Sequence, residues 1–237
     1  GYHGTLTNGA AIAVEPGLSS DTETSVVSSL IPINKNSIAF DGTAASIADT
    51  DIVISSDDNA FTFSDSTDVS NGTVHKPFTI SAWINPSSLA DRGAIITKFS
   101  SMSVGDPTKR DTEFVFWHRD NGELQFILYD CSAHSTVNNI TITSNTSVLT
   151  ASQWQQVAVT FDGNPDLAST SLGMKLYVDG QEVPSTQVKA GTYQIVRNTE
   201  SPVTIGAAHY DHTNVPDAFL TLFEGNIADT AVYSKEL

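Results

Sequence analysis

Residues 153–180, QWQQVAVTFDGNPDLASTSLGMKLYVDG, leave the chain little choice of architecture. Val157, Val159 and Phe161 alternate with Gln156, Ala158 and Thr160, while Met174, Leu176 and Val178 alternate with Lys175, Tyr177 and Asp179. A period of two is that of a strand, whose successive side chains point to opposite faces, and helical spacing fits neither run. The polar Asn/Pro/Asp/Ser stretch between them and the Asp179-Gly180 pair after them are turn chemistry. Two antiparallel strands are therefore expected here, with one apolar row turned inward and a wetter row outward.

The same reading extends along the chain. Residues 1–17, GYHGTLTNGAAIAVEPG, read as strand, turn and strand, with Asn8-Gly9 as the turn signal. SIAFDG (37–42) and DIVISS (51–56) are short strands, and the polar residues 57–76 are expected to form a long surface connection anchored by Phe61 and Phe63. PFTISAWINP (77–86) is a strand bracketed by prolines, which cannot donate to an interior ladder. In TEFVFWHRDNGELQFILYD (112–130), two strands close at Asp120-Asn121-Gly122. Both of their rows are apolar. Phe114, Phe116, Leu124, Phe126 and Leu128 share one face, and Val115, Trp117, Ile127 and Tyr129 share the other. Such a hairpin is either covered on both faces or offers one to a ligand. With NNITITS, PVTIGAAHY, FLTLFEG and IADTAVY the total is about a dozen short strands, and no amphipathic helix stands among them. The expectation is an all-β, antiparallel two-sheet sandwich, one domain over residues 1–237.

Eleven basic residues against 27 acidic ones give a formal charge of -16, which excludes nucleic acid and anionic lipid as direct partners. Clustered Asp and Asn in loops suit Ca²⁺, a hard cation with oxygen ligands, as well as plain solubility. Cys131 is the only cysteine, so there is neither an intrachain disulfide nor a multi-cysteine zinc site. No apolar run is long enough to insert in a membrane. The chain opens on Gly1 rather than Met, as a processed or excised piece does.

Several segments together resemble one family. GYHGTLTNGA, SIAFDG, PFTISAWINP, AIITKFS, QWQQVAVTFDG, GMKLYVDG, VTIGAAHY and FEGNIADTAVYSKEL are similar, in order, to segments of the concanavalin A-like, laminin G-like (LamG-like) jelly rolls. This resemblance implies a jelly-roll β-sandwich. It also implies a structural Ca²⁺ at the sandwich edge near the Phe-Asp-Gly strand and the last strand, which here points to Asp41, Gly42 and Asp229. The family usually carries an acidic pair in that last strand, where this chain has Ala228-Asp229. The pattern KFS…TEFVFWHRDNGELQFILYD…LTASQWQQVAVTFDG is similar to modules of phage structural proteins and secreted bacterial proteins, so an extracellular or virion-surface setting is implied.

Catalysis has little to stand on. Relatives that cleave β-glucans line one strand face with carboxylates spaced Glu-x-Asp-x-x-Glu, and this chain has no such run and no Gly-x-Ser-x-Gly elbow. His209 and His212 around Asp211 are the only near pair of histidines, a spacing open to zinc or to a solvated loop. Glycan binding needs aromatic faces with a few orienting polar groups. Trp117 and Tyr129 supply the aromatic part, with His118 and Arg119 adjacent, and His209, Tyr210 and Asp211 form a second cluster at a strand end. Trp117 is open to two readings, ligand face or packing under a covering loop. The expectation is a non-enzymatic carbohydrate-recognition and adhesion module of a virion or cell-surface protein. The alternative is a structural component of a virion or other assembly that works through protein contacts, and a polysaccharide-acting enzyme ranks third. Partners follow accordingly: a glycan or polysaccharide, other virion or surface proteins, and no nucleic acid. Oligomerisation is left open.

Overall fold

The computed structural model of the chain describes residues 5–7, 11–14, 36–42, 51–54, 61–65, 74–99, 112–130, 138–165, 172–199, 201–212 and 215–237. Among these residues there are strands and no helix. Numbered in chain order, one sheet runs in space β1 (Thr5–Thr7), β4 (Asp51–Ile54), β14 (Val203–Ile205), β6 (Gly93–Lys98), β7 (Phe114–His118), β8 (Leu124–Asp130), β9 (Asn138–Ser144), β13 (Ser185–Ala190). The other runs β12 (Gln181–Glu182), β11 (Met174–Val178), β10 (Gln155–Phe161), β5 (Phe78–Pro86), β17 (Glu224–Tyr233), β3 (Asn36–Asp41), β2 (Ala11–Val14). A separate hairpin pairs β15 (Ala208–His212) with β16 (Val215–Leu220). Every pairing is antiparallel. This is a two-sheet jelly-roll β-sandwich.

The alternation sets the packing. Val157, Val159 and Phe161 of β10 stand opposite Val178, Leu176 and Met174 of β11, and opposite Ala82, Ile80 and Phe78 of β5. These rows, with Phe114, Phe116, Leu124, Phe126, Leu128, Ile140 and Ile142 of the facing sheet, make one buried cluster. Removing apolar surface from water is the main stabilising term in such a core. Phe63 stacks on Phe78 with ring centroids 3.9 Å apart, so the described parts of the 57–76 connection reach into the core through Phe61 and Phe63.

Two expectations need correction. The two opening strands form as read but do not pair with each other, since β1 pairs with β4 in one sheet and β2 with β3 in the other. The Asn8-Gly9 signal itself lies outside the described residues. The outer row of β10 is also less wet than its polarity suggests, since Ala158 and Thr160 are buried. The chain's last residues lie over that face. Thr79, opposite Thr160, donates its hydroxyl to the Lys235 carbonyl (2.9 Å) and accepts from the Leu237 N–H (3.1 Å).

A buried polar clamp holds the open end of the β7–β8 hairpin. Lys98 Nζ lies 2.5 Å from Glu113 Oε1, both side chains fully buried. Glu113 Oε1 also accepts from the Thr199 N–H at 2.6 Å. Burial pushes the Glu113 carboxyl up, against the opposing pull of Lys98 and Thr199. At the end of β8, Asp130 accepts from Arg197 Nε (3.1 Å) and from the Gln194 N–H (3.0 Å). Residues 191–199 are therefore tied across the sheet end by two acids that would be costly to bury unpaired.

Candidate functional site

The outward rows of the eight-stranded sheet form the candidate site. Register places Trp117 opposite Gln125, Gln125 opposite Thr143, and Thr143 opposite Thr186. The next row is Val115, Ile127, Thr141 and Val188, and the one after it Tyr129, Asn139 and Ala190. Exposure rises along these rows. Val115, Trp117 and Ile127 are buried, Gln125, Tyr129, Asn139, Thr141 and Thr143 are half-buried, and Thr186 and Val188 are exposed. The patch therefore passes from an apolar floor to a wet rim.

Its polar groups are ordered among themselves. The Trp117 indole N–H donates to Gln125 Oε1 at 2.7 Å, and the Gln125 amide donates to Thr143 Oγ1 at 2.7 Å. Thr141 donates its hydroxyl to Asn139 Oδ1 at 3.0 Å. The Arg92 guanidinium carbon sits over the indole, 4.4 Å from the ring centroid, within cation–π range. Trp117 is thus 8% exposed, faced by Arg92 and packed against Val115, Ile127, Phe99 and Tyr129.

The sequence neighbours of Trp117 part from it. His118 points to the opposite face, edge-on to Phe223 at 5.5 Å, and is buried. Its Nδ1–H donates to the Arg119 carbonyl at 3.2 Å, Nε2 has no partner among the described residues, and burial holds the imidazole below its usual range. Arg119 lies at the hairpin turn, paired with Glu123 at 2.9 Å. Strand alternation separates His118 from Trp117, so the sequence cluster is not a spatial one. His209, Tyr210 and Asp211 lie on the backbone of β15, and their side chains fall outside the described residues.

The residues proposed for calcium do not converge. Asp41 stands opposite Glu224, and the register then runs Phe40 to Gly225 and on to Ile38 with Ile227, so Asp229 lies beyond the other end of that ladder. Five residues of strand separate Glu224 from Asp229, roughly 16 Å. Asp229 sits where β17 shifts register against β5, its φ at 48°. Gly42 does meet a local demand, with φ +69° and the Glu224 side chain where a Cβ would stand. As a set, Asp41, Gly42 and Asp229 do not fit one ion. Among the described residues no group of three His, Cys, Asp or Glu side chains is placed to hold a metal.

Sequence reasoning passed over Gln125, Thr143 and Arg92. Gln125 carries a signal, being the polar member of the row Gln125, Ile127, Tyr129. Arg92 carries none. It precedes β6, and only the pairing of Ala94 with Trp117 brings it to the indole.

Comparison with known proteins agrees with this architecture. A laminin G-type profile described as the concanavalin A-like lectin/glucanases superfamily matches residues 42–237. No curated protein sequence matches the chain. Among solved structures, the binding domain of botulinum neurotoxin DC in complex with SialylT aligns with a TM-score of 0.54 at 13% identity, covering 100% of this chain and 43% of that one. The botulinum neurotoxin serotype D binding domain gives 0.53 at 16% identity, with 100% and 44% coverage. The Ruminococcus gnavus IT-sialidase CBM40 bound to alpha2,3 sialyllactose gives 0.48 at 15%, with 68% and 78%. At these identities the likeness is one of fold, and the chain spans under half the length of the toxin domains.

Proposed function

The chain belongs to the concanavalin A-like lectin/glucanases superfamily, and from that membership we propose that it is a non-enzymatic glycan-binding module whose ligand lies along the outer face of the eight-stranded sheet. One observation carries the reading. Tyr129 and the Trp117–Gln125–Thr143 hydrogen-bonded row sit on one face with Asn139 and Thr141, so aromatic surface is bordered by neutral amides and hydroxyls. Sugar rings ask for that combination, with C–H faces to stack on aromatics and hydroxyls to exchange hydrogen bonds with amides. The fold shared with a toxin binding domain solved with SialylT supports the same reading.

Binding rather than bond cleavage is favoured by what the buried carboxylates do. Glu113 and Asp130 are engaged by Lys98, Thr199, Arg197 and backbone N–H groups, so they act as structural acceptors. The extracellular or virion-surface setting belongs to the same proposal and is supported by the resemblance of residues 98–163 to phage and secreted modules.

A glycan array with the purified chain tests this. Gln125→Ala and Tyr129→Ala are expected to weaken binding about tenfold or more, the worth of one or two lost polar or aromatic contacts, with melting temperature retained for Gln125→Ala. Binding that survives both substitutions undiminished places the ligand elsewhere. A folded protein that binds no glycan would shift the reading to a structural module working through protein contacts.

A further inference from the structure

We infer that Arg92 reads a negative charge on the ligand, and that the glycan this face takes is a carboxylate-bearing sugar; the inference rests on the glycan-binding reading above and narrows it. Three arginines are described, and two are spoken for. Arg119 pairs with Glu123 and Arg197 with Asp130. Arg92 is exposed, and among the described residues its one partner is the Trp117 ring; no described carboxylate pairs with it, Asp91 beside it included.

This is unusual company for a chain with 27 acidic residues and a formal charge of -16. Carboxylates are abundant, yet the arginine over the aromatic patch is left to the ring. Stacking uses the flat face of the guanidinium and leaves its in-plane N–H fork free to meet both oxygens of a carboxylate. The indole beneath is itself held by Gln125, and a guanidinium stacked on it has less rotamer freedom to lose on binding than a free one. Lysine at this position would keep the charge and lose the fork.

The chemistry separates this site from its surroundings. The acidic surface as a whole repels an anion, so on these rows an acidic sugar is favoured where the guanidinium stands, at the Trp117 end. Neutral units of the same glycan would lie toward Tyr129, which is four residues further along β8 than Gln125, roughly 13 Å. An oligosaccharide with its acidic unit over Arg92 fits that length.

The test uses matched pairs that differ in the carboxylate, sialyllactose with lactose and oligogalacturonate with its methyl ester, measured by titration calorimetry on the wild type, Arg92→Gln, Arg92→Lys and Lys175→Gln. Lys175 is exposed on the other sheet and removes the same charge far from this face. The expected result is at least one acidic member bound about tenfold or more tightly than its neutral partner, a preference abolished in Arg92→Gln, largely lost in Arg92→Lys and kept in Lys175→Gln. The preference should also shrink as salt is raised. Equal binding of acidic and neutral members overturns the inference and leaves the glycan-binding reading intact. An acidic preference that Arg92→Gln leaves unchanged overturns the role of Arg92. No binding of any glycan by folded protein overturns both.

Discussion

His75 shows how much a single titratable ring depends on its surroundings here. It stacks on Tyr193, lies edge-on to Phe161 at 5.6 Å, and shares a 2.9 Å hydrogen bond with the Tyr193 hydroxyl. Burial lowers its pKa to about 4, outweighing the pull of Asp130 and Asp65 in the other direction. The unfolded chain takes up this proton near the ordinary histidine value of 6.5 and the folded chain near 4, so the unfolded state binds more protons in between. Stability contributed by neutral His75 is therefore whole above about pH 6.5 and falls as pH drops towards 4, by up to about 3 kcal/mol. Denaturant titrations from pH 7 to 4 check this. His75→Phe keeps the ring contacts and cannot titrate, so that part of the slope is expected to vanish; an unchanged slope would assign it to other groups. Single residues were unequally legible in the sequence. Trp117 and Tyr129 stood out because alternation gave the hairpin a second apolar row, which the structure places on the outer face. Arg92 did not, because a residue outside a strand is positioned by its neighbour's register, and no periodicity records that.

At the scale of the element, the β7–β8 hairpin carries the candidate site on one face and core on the other, so its geometry depends on the clamp at its open end. Lys98→Met leaves the Glu113 carboxylate buried without its ammonium, an uncompensated charge that typically costs about 3–5 kcal/mol. Adding Glu113→Gln removes that charge, and the double variant is expected to regain much of the loss, since two neutral groups need no mutual compensation. Chemical denaturation of the singles and the double forms a cycle that checks it. A double variant as unstable as the sum of the two singles would mean the residues act independently. Most strands were legible, because a period of two survives any sheet order; β13 (Ser185–Ala190), with one apolar residue between polar ones, was not, and FLTLFEG proved to be the end of β16 and the start of β17. Partners were less so. Thr5–Thr7 and Ala11–Val14 have the spacing of a hairpin, yet they enter different sheets, and a local turn signal carries no information on which distant strand each one pairs with.

For the whole molecule, charge and topology act together. A formal charge of -16 on a compact fold is self-repulsive, so added salt is expected to raise the melting temperature by screening. Calcium would do so through ionic strength alone, and in addition through any site that binds it only in the folded state. Topology decides whether Asp229 belongs to such a site. The β3–β17 ladder starts at the Asp41–Glu224 pair and runs away from it, so an ion beside Asp41 lies several residues of strand from Asp229, far beyond the 2.3–2.6 Å of a calcium–oxygen bond. The melting temperature is therefore expected to climb with NaCl, and Asp229→Asn is expected to leave the response to CaCl₂ at matched ionic strength unchanged. Thermal melts of the two proteins in both salts decide it. A calcium response that falls with Asp229→Asn would mean that β17 and β3 bring their carboxylates together by a route other than this register, and the ladder would have to be redrawn from that end.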